Sequence, residues 1–164
     1  MANLDLLIKA WDEAIWEYSI VFEGLKDEDV WRRPHPKLLS IGELTGHLAY
    51  YEAVYSNEPA PNDDLSLLPI QSELINSAFT YYTHQEQSPV VLGLTADEVV
   101  AELRRIHEEA KNGVVKGDHD SEEMISGRDR TWGFSIQYLG FHAAYHAGQA
   151  YSVRHLFGDT PNDN

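Results

Sequence analysis

Four long stretches of this 164-residue sequence repeat apolar residues at alternating steps of three and four, the spacing that lines one face of an α-helix. The first runs Leu4, Ile8, Trp11, Ile15, Tyr18, Phe22, Leu25. Gly24 and the run Trp31-Arg32-Arg33-Pro34-His35-Pro36 close it, because proline disfavours helix at its own position and at the one before. A second opens at Ser40, with Glu43 three residues on in the arrangement of a capping box. Its inner face carries Ile41, Leu44, Leu48, Tyr51 and Tyr55, and Pro59 and Pro61 stop it. Thr95 and Glu98 repeat the capping signature ahead of Val99, Leu103, Ile106 and Ala110. The last stretch spans residues 132–157, and Gly158 is placed to end it. No convincing strand pattern competes, so the expected fold class is all-α, a four-helix bundle in which each apolar face is buried against the others.

The connections are less regular. Between the second and third main helices, Leu74, Ile75, Ala78, Phe79 and Tyr82 are compatible with an additional short helix within residues 70–82. Residues 113–130, glycine-rich and charged, read as a long loop. Residues 1–158 make one expected domain, large enough for a core of its own, and 159–164 a polar tail.

Composition narrows the function. A formal charge of −15 repels a phosphate backbone, so a small-molecule substrate is expected and nucleic acid is not. Residues 1–10 hold an acid and no long apolar run behind a basic flank, which predicts neither a secretory leader nor a membrane span and points to the cytoplasm. There is no cysteine, hence no thiolate ligand and no cysteine nucleophile. Any thiol chemistry must use an imported low-molecular-weight thiol.

His142 and His146 are four apart in Phe141-His142-Ala143-Ala144-Tyr145-His146, so on a helix one ion can reach both. On the helical wheel His146 falls within the stripe of Leu139, Ala143, Ala150 and Phe157, and His142 roughly 40° away at its edge. Such a pair is not diagnostic alone, since helical histidines at this spacing also occur as surface or core residues. His47 adds the argument, because it shares the inner face of its helix with Leu44, Leu48 and Tyr51. Three inward imidazoles suffer desolvation unless something occupies their lone pairs, and a metal ion does so. His107, among Arg104, Arg105, Glu108 and Glu109, and His119, between Asp118 and Asp120, read as solvated. His155 lies about 180° around the last helix from His146, and His35 and His84 sit near breaks without assignment.

The segments Ser40-Ile41-Gly42-Glu43-Leu44-Thr45-Gly46-His47-Leu48 and His142-Ala143-Ala144-Tyr145-His146-Ala147-Gly148-Gln149 closely resemble the DinB-like (DinB/YfiT-like) family of metalloenzymes. The resemblance covers the first, second and last main helices. It implies a four-helix bundle, often a homodimer, with a histidine triad binding zinc, nickel or a similar ion at His47, His142 and His146. Relatives include metal-dependent thiol S-transferases and a thiol-dependent maleylpyruvate isomerase, and the family name reflects DNA-damage induction rather than DNA binding. Trp11, Trp16 and Tyr18, on more than one face of the first helix, also suggest a homodimer.

Three imidazoles leave coordination positions open, as in a catalytic rather than a structural zinc site. The set suits zinc, nickel, cobalt or ferrous iron. The expected function is a metal-dependent S-transferase joining a low-molecular-weight thiol to a small electrophile. The alternatives are a hydrolase using metal-bound water and a non-catalytic metal-binding stress-response module. Candidate catalytic residues are Glu43, Tyr51 and Gln149, with Glu52 beside Tyr51; Gln149 can orient a ligand or substrate, and Glu43 also has its capping position to explain it.

Overall fold

The computed structural model, which describes residues 4–80 and 88–161, forms both capping boxes read from the sequence. Ser40 Oγ accepts from the Glu43 amide at 3.2 Å while the Glu43 carboxylate accepts from the Ser40 amide at 2.8 Å. Thr95 and Glu98 exchange the same pair of bonds. Satisfying these otherwise orphaned amides sets where α3 (Ile41–Tyr55) and α4 (Ala96–Gly117) begin. The other main helices are α1 (Asp5–Ile20) and α5 (Trp132–Leu156), the latter opened by the Thr131 hydroxyl accepting from the Phe134 amide. A four-residue helix, α2 (Asp27–Val30), lies between α1 and α3 and was not expected.

The main helices form the bundle: α1 lies along α5, and α3 packs on both α4 and α5. Trp11, Ile15 and Tyr18 of α1 meet Leu48, Leu103, Ile106, Ile136 and Leu139 in one apolar core. The Tyr18 hydroxyl donates to Thr45 Oγ1 at 2.9 Å, whose own proton goes to the Ile41 carbonyl, so this buried polar chain is satisfied. Arg154 donates to the carbonyls of Val21 and Glu23 at 2.7 Å, tying α5 to the turn that follows α1. No helix among the described residues is long and apolar enough to cross a membrane.

Five expectations need correction or sharpening. Helix α4 continues through residues 113–117 instead of giving way to loop at Gly113, because Val114 extends the buried stripe; the chain turns at Asp118, with φ of +49°. The additional short helix within residues 70–82 takes the form of a 3-10 turn, Ser77–Phe79, opened by the Asn76 side chain. Tyr82 and His84 fall outside the described residues, as do residues 1–3 and 162–164 of the two ends. Trp11 and Tyr18 are fully buried, which leaves Trp16, 53% exposed, as the only one of the three aromatics available to a partner. His119 is not simply solvated: its ring stacks on Trp132 at 4.0 Å.

The largest departure concerns His107, which is buried rather than solvated. Its Nδ1 lies 3.0 Å from Glu52 on α3 and its Nε2 3.0 Å from Asp12 on α1. Trp11 Nε1 donates to the other Glu52 oxygen, and Lys111 reaches Asp12 at 2.9 Å. One imidazole thus ties three helices together. Burial pushes its pKa down, but the Glu52 and Asp12 carboxylates outweigh burial and hold it above the ordinary histidine value.

A group whose folded pKa is raised adds stability that is complete below its unfolded pKa of about 6.5 and is lost as pH rises through the folded value. His107→Leu, which strands the buried Glu52, is expected to destabilise the fold by about 3–5 kcal/mol near pH 6. In thermal unfolding followed by circular dichroism, the gap between wild type and variant should narrow from pH 6 to pH 9. A gap that widens over that range would contradict the ionised clamp.

Candidate metal centre

The packing of α3 on α5 brings His47, His142 and His146 together. His142 Nε2 lies 3.1 Å from His47 Nε2 and 3.0 Å from His146 Nε2, and all three side chains are buried. The i,i+4 spacing on α5 supplies two of the nitrogens. The approach of His47 depends on Gly46: a Cβ there would lie 2.6 Å from the Phe79 ring, so glycine lets the Ser77–Phe79 turn settle against α3. That turn delivers the Phe79 carbonyl to His47 Nδ1 at 2.7 Å.

A carbonyl only accepts, so His47 carries its proton on Nδ1 and turns a lone pair inward from Nε2. Gln149 does the same for His146, its Oε1 accepting from Nδ1 at 2.6 Å while its Nε2 donates to the Tyr145 hydroxyl. His142 is held differently. Its Nδ1 has no hydrogen-bond partner among the described residues, and its ring stacks on Tyr138 with centroids 5.2 Å apart. Tyr138 stacks in turn on Tyr55 at 4.9 Å, and the Arg130 guanidinium covers Tyr55 at 3.6 Å. Two of the imidazoles are oriented by hydrogen bonds and the third by a column of rings.

Burial depresses all three imidazoles, taking His142 to about 3 and His146 to about 4, with the neighbouring imidazoles adding to the effect for both. For His47 burial outweighs the opposing hydrogen bond to the Phe79 carbonyl. All three are therefore neutral at physiological pH, the form that ligates a metal. Two inward lone pairs about 3 Å from a third nitrogen suit a single cation at roughly 2.0–2.1 Å from each. The donor set can hold one divalent ion.

An open cleft of about 410 Å³ exposes this edge, walled by Leu39, Tyr51, Tyr138, Phe141, Tyr145 and Gln149. Of the candidate catalytic residues, Tyr51 and Gln149 line the cleft, whereas Glu43 and Glu52 do not. Glu43 is fully buried against Arg33, which reaches both its oxygens, and accepts from Ser40 and the Val90 amide as well. Burial pushes its carboxyl up, but those donors together hold it below the usual range, so it is a poor proton acceptor. Glu52 serves the His107 clamp. Sequence reasoning missed the Phe79 carbonyl, the packing role of Gly46 and the stacking role of Tyr138. The first two depend on contacts across 32 and 33 residues, although a glycine immediately before an inward histidine hinted at a close approach.

The family model of the DinB superfamily matches residues 10–150, a span that includes all three histidines, and the chain belongs to that superfamily. Neither the curated proteins nor the solved structures contain a match to it.

Partners that orient a ligating imidazole typically change metal affinity by 10- to 100-fold when removed. Gln149→Leu is expected to weaken zinc binding by about that factor, and Gly46→Ala to weaken it by displacing the Phe79 carbonyl. His155→Ala should leave it unchanged, because His155 is exposed on the outer side of α5. Competition with a chromophoric chelator measures each variant. Wild-type affinity in Gln149→Leu would show that the His146 orientation does not depend on the amide.

Proposed function

We propose that this member of the DinB superfamily is a metal-dependent S-transferase that holds one divalent transition-metal ion, zinc or nickel, on His47, His142 and His146. It joins an imported low-molecular-weight thiol to a small electrophile. The observation that carries the reading is the pairing of a three-nitrogen donor set with a cleft whose lining, among the described residues, contains no carboxylate.

A bound divalent ion supplies Lewis acidity, which lowers the pKa of a thiol or of water toward neutrality. The choice between those two nucleophiles turns on the residues around it. Water attack in a hydrolase is commonly assisted by a general base, and the described cleft lining offers no carboxylate for the task. Burial and the neighbouring Tyr55 push Tyr138 above the ordinary phenol value, against the pull of Arg130, so at neutral pH it donates a proton rather than accepting one. A thiol is acidic enough to need no such base. In the transfer its S–H bond breaks with the proton passing to solvent, a sulfur–carbon bond forms, and the leaving group departs with its bonding pair. The chain has no cysteine, so the sulfur comes from a second substrate.

Metal-free protein reloaded with zinc or nickel is expected to bind about one ion per chain, and a His47→Ala, His142→Ala, His146→Ala variant none. The loaded protein should convert 1-chloro-2,4-dinitrobenzene to a thioether only when a small thiol is supplied. Hydrolysis of nitrophenyl esters without thiol would favour the hydrolase. Full metal loading with no turnover of either class would favour the non-catalytic module.

A further inference from the structure

We propose that the substrate of this site is an elongated, largely apolar molecule, with its reactive end at the triad and its apolar remainder in a second groove beside it. The proposal rests on the metal-dependent transferase reading above. The groove, about 270 Å³, runs between residues 37–44 and the last turns of α5. Leu38, Leu39, Leu44, Val153 and Leu156 supply its apolar wall.

Continuity with the metal cleft is the first support. Leu39 and Gln149 line both cavities, so the two open on either side of a shared partition. Along α5, residues 145, 149, 152 and 156 follow one another at steps of four and three, which places them on a single face. From His146 to Leu156 that face extends about 15 Å at 1.5 Å per residue. The cleft alone is near the lower end of the usual range for small-molecule sites, and the groove lengthens it in one direction.

Charge is the second support. In a chain with net charge −15, the only charged side chain in either lining among the described residues is Lys37, which belongs to the groove and not to the metal cleft. Leu38 and Leu156 are 44% and 62% exposed there, and Phe141 and Tyr145 are 64% and 53% exposed at the cleft mouth. This is apolar area that a neutral chain would remove from water. A short polar substrate would leave the groove unused, and a substrate anionic along its length would meet no cation except at Lys37.

The test uses cobalt-loaded full-length protein and a series of straight-chain alkanethiols from ethanethiol to octanethiol, followed by the thiolate-to-cobalt charge-transfer band. Affinity is expected to rise about two- to fourfold per added methylene until the groove is filled. Ser152→Trp, at an exposed position on the groove wall, should flatten that rise while leaving cobalt and ethanethiol binding unchanged. Leu156→Gln should lessen it without adding bulk, which covers the case that the tryptophan disturbs α5. Affinities independent of chain length, or a rise untouched by both variants, overturn the proposal alone. A dimer in light scattering that Ser152→Trp dissociates, with no effect on chain-length dependence, would assign the groove to a second copy and also overturn it. Absence of a band even with ethanethiol would overturn the transferase reading and this proposal with it.

Discussion

Three buried imidazole nitrogens, two of them 3.0–3.1 Å from the third, do not stay there without a cation or a shared proton among them. Much of the local structure sets up that arrangement. Ser40 and Glu43 set the start of α3 and so the direction of His47. Gly46 admits the Ser77–Phe79 turn, whose carbonyl fixes the His47 tautomer. Gln149 fixes that of His146, and the stack from Arg130 through Tyr55 and Tyr138 settles the ring of His142. The supports come from α3, α5, the Ser77–Phe79 turn and Arg130 just before α5, so the geometry of the triad depends on how these parts pack together.

Among the described residues, buried histidines occur in two settings with opposite electrostatics. Around His107, burial is outweighed by two carboxylates, which favour the charged form of the imidazole. Around the triad no carboxylate among the described residues answers burial, and all three imidazoles are held neutral. Asp12, His107 and Glu108 stand close enough to resemble a second ligand set. Lys111, bonded to both Asp12 and Glu108, already supplies the positive charge at that position, and both nitrogens of His107 face carboxylates. The same residue type therefore does two jobs: it clamps helices where acids surround it, and it presents lone pairs where they are absent.

The parts readable from sequence were those set by local spacing. Two capping boxes, the start of α5 at Trp132 and the inward direction of His47, His142 and His146 all follow from residues within a few positions of one another. His107 was misread because its immediate neighbours are charged. Its spacing told otherwise, since it stands four after Leu103 and three before Ala110, both buried. The same stripe reaches Val114, four after Ala110, and so argued for a longer α4 than its glycines suggested. What could not be read was tertiary. The Phe79 carbonyl, the Arg33 grip on Glu43 and the Glu52 contact with Trp11 join residues 10 to 41 positions apart, and no periodicity announces them.

Helix α5 meets demands that most bundle helices do not share. Its buried side, with Ile136, Leu139, Ala143, Ala147 and Ala150, packs the core, yet its other faces carry Phe134, Phe141, Tyr145 and Leu156 in contact with water. A surface helix is ordinarily polar on the side away from the core. Exposing several large apolar side chains has a cost in free energy that packing of the isolated chain does not offset. On α5 those residues flank His142 and His146, so the apolar surplus coincides with the donor set. The aromatic residues Tyr51, Tyr138, Phe141 and Tyr145 wall the cleft without adding a charge. In a low-polarity cleft of this kind a bound cation would be the dominant local charge, and selectivity for what approaches it would come from shape and apolar contact rather than from pairing of opposite charges.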